Sequence, residues 1–109
     1  MAFAPAGLTE YSVPEIVSGI GDSSMKYCGN LQSITLPSKI TSIGDYAFLN
    51  CTSLLNLTLQ SETPPTLGEG AFEGTATLLK IYVPASAVSA YQKADGWKSY
   101  TSRIQAIPE

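Results

Sequence analysis

The chain has 109 residues, 44% of them hydrophobic and 14% charged, with a net charge of −3 and no histidine. That length suits one domain with a core of its own. The scattered charges exclude the clustered basic face that nucleic acid requires, and no run approaches the ~18 apolar residues of a membrane helix. The lack of histidine removes the commonest general base and metal ligand.

Taken from its start, MAFAPAGLTEYSVPEIV has neither a basic segment nor an apolar stretch long enough for a signal peptide. That leaves a cytosolic protein or a mature fragment cut from a longer secreted chain; the fragment is the expectation, because the C-terminal end reads as finished by a cap while the first rung has only Phe3 for partial cover. Residues 17–36, VSGIGDSSMKYCGNLQSITL, then recur as residues 40–59, ITSIGDYAFLNCTSLLNLTL, at a spacing of 23. Ile20 falls on Ile43, Gly21 on Gly44, Met25 on Phe48, Cys28 on Cys51, Leu31 on Leu54, Ile34 on Leu57 and Leu36 on Leu59. A third copy, with Leu67, Gly68, Ala71, Phe72, Leu78, Ile81 and Val83, is shifted by 24, the extra residue lying in the proline-bearing segment 60–67. LTEYSVP, residues 8–14, is the end of a still earlier copy. A fixed period in this range marks a solenoid, in which stacked neighbours bury what one repeat cannot.

The repeat predicts strands near 10–13, 33–36, 56–59 and 80–83, stacked as a parallel sheet. Tyr11, Val13, Ile34, Leu36, Leu57, Leu59, Ile81 and Val83 face the core, and the residues between them face solvent. The segments ending at Ile20, Ile43 and Leu67 read as a second run of brief strands. The glycines after them suit a turn with an unusual backbone angle. Asp22 and Asp45 are then positioned to cap small helical turns, DSSM and DYAF. Met25, Phe48 and Phe72 plug that corner. Past Pro84 the pattern stops. Residues 86–93 or 94 read as a short helix with Ser86 at its N-cap and Gly96 just beyond its end. Val88, Tyr91, Trp97, Tyr100 and Ile104 read as a cap on the apolar end of the stack, and 104–107 as a last strand. The whole is one domain, 1–109, with repeats over 8–84 and a cap over 85–109.

The unit I-x-x-I-G-x-x-A-F-x-x-C-x-x-L-x-x-I-x-L-P, carried by Ile43-Gly44, Ala47-Phe48, Cys51, Leu54, Leu57 and Leu59 and their partners one repeat earlier, resembles the BspA-like, Treponema-type leucine-rich repeats. The tail from Ile81 to Ile107 looks like the C-terminal cap of such proteins from Bacteroides-type bacteria. The resemblance implies an α/β leucine-rich-repeat solenoid with short helical turns, on a surface-exposed or secreted bacterial protein that adheres to host matrix proteins, other cells or glycans. It supplies no catalytic motif and no cofactor.

Cys28 and Cys51 lack the companions of a zinc site and the base of a nucleophile. Stacked on adjacent rungs about 4.8 Å apart, they are close enough for a disulfide, although buried thiols serve as small hydrophobes and that reading is preferred. The acidic residues do not converge, and GEGAF lacks the lysine of a phosphate loop. The outward face of the main sheet is therefore the candidate binding surface: Ser12, Ser33, Thr35, Asn56, Thr58, Lys80 and Tyr82, with an apolar corner at Leu55, Leu79 and Tyr82. The expected partner is a host matrix or cell-surface protein or a glycan, not nucleic acid, with end-to-end self-association through the N-terminal rung also open to it. The alternative is a structural spacer whose binding domain lies elsewhere in the parent chain.

Overall fold

The computed structural model describes residues 9–108; Phe3, read above as end cover, and Leu8, the first residue of the earliest copy, lie outside them. Two parallel sheets run side by side. The larger takes β1 (Glu10–Ser12), β3 (Ser33–Leu36), β5 (Asn56–Leu59), β7 (Lys80–Val83) and β8 (Ile104–Ala106), in that order. The smaller takes β2 (Gly19–Ile20), β4 (Ser42–Ile43) and β6 (Thr66–Leu67). Each strand pairs with the residues one repeat on: Tyr11 with Ile34, Ile34 with Leu57 and Leu57 with Ile81 in the larger sheet, Ile20 with Ile43 and Ile43 with Leu67 in the smaller. Between β5 and β6 the offset grows by one, so the added residue lies in the loop that holds Pro64 and Pro65. Such a loop absorbs an insertion at little cost because no sheet hydrogen bond is displaced.

Alternation puts Ile34, Leu36, Leu57, Leu59, Ile81 and Val83 inside, all essentially inaccessible. Opposite them Ile20 and Ile43 of the smaller sheet, with Ile40 just before β4, close the layer, and Met25, Phe48 and Phe72 fill the corner, the last two stacked with ring centroids 5.6 Å apart. Pro14, Pro37 and Pro84 follow strands β1, β3 and β7, where a residue without an N–H ends the ladder.

The segment between the sheets departs from the small helical turns read from the sequence. Ser23, Tyr27, Tyr46 and Asn50 have φ of 58°, 65°, 56° and 58°, and Gly70 and Gly74 take the equivalent places in the third rung at 63° and 78°. Left-handed residues four apart cannot sit in one right-handed helix. The amides instead alternate between two partners. Ser24, Lys26 and Cys28 donate to carbonyls three back in their own turn, while Ser23, Met25 and Tyr27 donate across to Asp45, Ala47 and Leu49 at 2.8–2.9 Å. Tyr46, Phe48 and Asn50 repeat this toward Glu69, Ala71 and Glu73. This third ladder hydrogen-bonds the amides of Ser23, Tyr27, Tyr46 and Asn50, which is what allows tyrosine and asparagine to hold an angle that favours glycine.

The aspartates serve the same ladder. Asp22 Oδ1 accepts the Asp45 N–H and Asp45 Oδ1 accepts the Glu69 N–H, each at 2.9 Å. They cap the next rung, not their own turn. The preceding glycines are needed for a different reason than the one expected: Gly44 and Gly68 have ordinary φ, but a Cβ on Gly44 would lie 2.6 Å from the Asp22 amide nitrogen. Successive turns touch backbone to backbone there, and a side chain does not fit.

After β7 a 3-10 turn (Ala85–Ala87) leads into α1 (Val88–Lys93) and a second 3-10 stretch (Trp97–Arg103) before β8. Ser86 is not an N-cap; it lies inside the first turn, which follows Pro84 and has no side-chain cap. Gly96, at φ 82°, makes the bend between the helices. Tyr91 and Trp97 are completely buried against the third rung. The Tyr91 hydroxyl donates to the Ser61 carbonyl at 2.8 Å, and Trp97 Nε1 donates to the Pro65 carbonyl at 2.7 Å. Both aromatics are core residues that bind the irregular 60–67 loop.

Candidate binding face

The outer surface of the larger sheet holds every residue singled out for binding. One row across the strands is Glu10, Ser33, Asn56 and Lys80; the next is Ser12, Thr35, Thr58, Tyr82 and Gln105. With parallel strands about 4.8 Å apart, each row presents one polar group per rung over roughly 14 Å across the first four strands. Glu10, Ser12, Lys80 and Gln105 are exposed and the others half-buried. Asn56 Nδ2 donates to Ser33 Oγ at 3.3 Å, so the first row is partly braced within itself. Its ends carry opposite charge, Glu10 at one and Lys80 at the other. Gln105 escaped the sequence reading because β8 has no repeat partner; only its place in a predicted last strand pointed to it.

The apolar corner differs from expectation. Leu79 is buried at 2% exposure, and it is Leu78, at 73%, that stands in solvent. In the second rung the turn closes with the Leu54 amide on the Cys51 carbonyl; in the third it closes one residue later, the Leu79 amide on the Ala76 carbonyl. A one-residue slip exchanges inside for outside, and two adjacent leucines gave the sequence no way to show which would go in. Leu78 joins Leu55, Asn56 and Lys80 around a shallow hollow of about 240 Å³.

The repeated register, the two parallel sheets and the apolar ladder agree with a comparison against known families, in which the family described as "BspA type Leucine rich repeat region (6 copies)" matches residues 1–94. The chain belongs to the BspA-type leucine-rich repeat family. No curated protein matches it.

In this BspA-type chain the repeat cysteines are structural. Neither is in a disulfide. Cys51 is buried and donates its Sγ to the Met25 carbonyl at 2.9 Å, while Cys28 is half-buried, not fully buried as the repeat implied. Burial pushes the Cys51 thiol up to about 11, which keeps it protonated and unreactive at neutral pH. Beyond the sheet face, the Tyr46 hydroxyl donates to Glu69 at 3.2 Å, and that bond followed by the charge of Glu69 raises its pKa. Among the described residues no three His, Cys, Asp or Glu side chains converge as metal ligands, and no helix is long and apolar enough to cross a membrane.

Proposed function

We propose that this chain is a non-catalytic binding module: a leucine-rich-repeat solenoid, closed at its C-terminal end by residues 85–108, that presents the outer face of its larger sheet to a protein or glycan. It acts at a bacterial cell surface or after secretion, in adhesion to host matrix or neighbouring cells. The observation that supports this reading is the pair of polar rows, Ser33–Asn56–Lys80 and Ser12–Thr35–Thr58–Tyr82, aligned across consecutive strands with no element of the described chain laid over them. A flat array of hydroxyl, amide and ammonium groups on a rigid sheet suits recognition better than chemistry, since it offers donors and acceptors without a concave pocket to exclude water. The reading includes end-to-end association through the N-terminal rung, which sedimentation at rising concentration tests.

The experiment is binding of the protein to immobilised matrix proteins and glycans beside a Lys80→Ala, Tyr82→Ala double variant with an unchanged thermal melt. Saturable binding that the variant loses supports the sheet-face module. A folded protein that binds nothing across the panel supports the spacer role.

A further inference from the structure

The repeat breaks its own polar-out rule at one spot, twice in succession. Where the first rung has Gln32 before its strand, the second has Leu55, 41% exposed, and the slipped turn of the third sets Leu78 beside it. The outward leucine is held there. Arg103, from the C-terminal segment, donates through Nη1 to the Thr77 carbonyl at 2.8 Å and the Leu79 carbonyl at 3.0 Å, clamping the backbone on both sides of Leu78. Lys80 completes the hollow. Among the described residues the ion pair present is Lys98 with Asp95, and no carboxylate stands within pairing distance of Lys80. Two outward aliphatic side chains around an unneutralised ammonium make a place where an apolar group and an anion are wanted together.

We propose that this hollow binds an aliphatic side chain whose neighbouring residue carries a carboxylate, an aliphatic–acidic motif of a protein partner. The proposal rests on the module reading above and narrows its partner from protein or glycan to protein. The partner's aliphatic group lies between Leu55 and Leu78 and removes their apolar surface from water. Its carboxylate accepts a charge-assisted hydrogen bond from Lys80 Nζ, strengthened by the adjacent apolar surface. The Asn56 amide, already oriented by Ser33, offers its oxygen to a partner backbone N–H. A neutral sugar leaves Lys80 uncompensated and finds no aromatic ring in the hollow to stack on.

The test titrates the intact ¹⁵N-labelled protein with Ac-Leu-Glu-NH2 and Ac-Leu-Gln-NH2, following amide shifts. The glutamyl peptide is expected to saturate shifts at Asn56, Leu78 and Lys80, with the glutaminyl peptide roughly tenfold weaker. Lys80→Gln should equalise the two peptides, and Leu78→Ser should weaken both about tenfold without lowering the melting temperature, since Leu78 is exposed. Equal affinity of the two peptides for the unmodified protein overturns the proposal, as do shifts centred on Thr58 and Tyr82 or the same amides moved by neutral oligosaccharides. The module reading has a separate readout. Matrix binding lost in Lys80→Ala, Tyr82→Ala but kept in Leu78→Ser overturns the hollow alone, and matrix binding kept in both variants overturns the hollow and the sheet-face reading together.

Discussion

Arg103→Met isolates the clamp on the third turn. Methionine keeps most of the aliphatic stem and removes the guanidinium, so the bonds to the Thr77 and Leu79 carbonyls are lost while local packing is nearly conserved. A hydrogen bond from a charged donor contributes about 1.5–3 kcal/mol when shielded. Here the Thr77 carbonyl is in solvent, where water replaces the donor, and the Leu79 carbonyl is half-shielded. The shielded bond therefore dominates, and the expected loss is about 1–2 kcal/mol. For a domain of this size that lowers Tm by roughly 4–8 °C per kcal/mol, readily seen by circular dichroism. Arg103→Lys should fall between, because it keeps a charged donor but its shorter stem ends short of the Nη1 position from which both bonds are made. Amide exchange should quicken at Leu79 and leave Leu57 unchanged. A Tm for Arg103→Met within about 1 °C of the parent, with Leu79 still protected, would refute the claim that Arg103 holds the slipped turn.

Gly44→Ala should destabilise by about 1–3 kcal/mol in urea unfolding, since its methyl meets the Asp22 backbone, which cannot swing aside, as well as the Asp22 carboxylate; Gly29→Ala, with open space around it, is the neutral control. Trp97→Phe should cost about 1–3 kcal/mol by leaving the Pro65 carbonyl without its donor in a buried site, measured by the same unfolding. Ser24→Ala should raise stability, because the Ser24 hydroxyl is buried with no partner among the described residues and the later rungs carry Ala47 and Ala71 there. Alkaline titration follows from two raised pKa values. Burial lifts Cys51 to about 11 and Tyr91 to about 12, so the unfolded chain loses these protons first. Their stabilising contribution is complete below pH 9, the ordinary thiol value, and is lost as pH rises through about 11 and 12. Cys51→Ala with Tyr91→Phe should flatten that alkaline limb of the urea midpoint; an unchanged limb would show that other groups control it.

What the sequence determined by itself is whatever repeats. A residue and its copy one rung later occupy the same environment, so Ile34, Leu57 and Ile81, or Met25, Phe48 and Phe72, corroborate one another without any structure. The alternation of two within each strand then assigns the outward residues, and all seven proposed for binding do lie on one face. Tertiary structure decided where contacts between rungs override local preference. DYAF reads as a capped helical turn on local propensity alone, but amides bonded to the next rung hold Tyr46 at φ 56° and direct Asp45 to the Glu69 N–H. Gly44 is set by its distance from Asp22, a quantity absent from any single repeat. Leu78 and Leu79 are the same side chain; the third turn closes on the Ala76 carbonyl, with an arginine 24 residues beyond the second leucine bonded to the carbonyls on either side of the first, and this leaves one in the core and the other at the surface. Periodicity encodes what neighbouring rungs share; the features peculiar to one rung, including the hollow, are set by long-range hydrogen bonds that periodicity does not record.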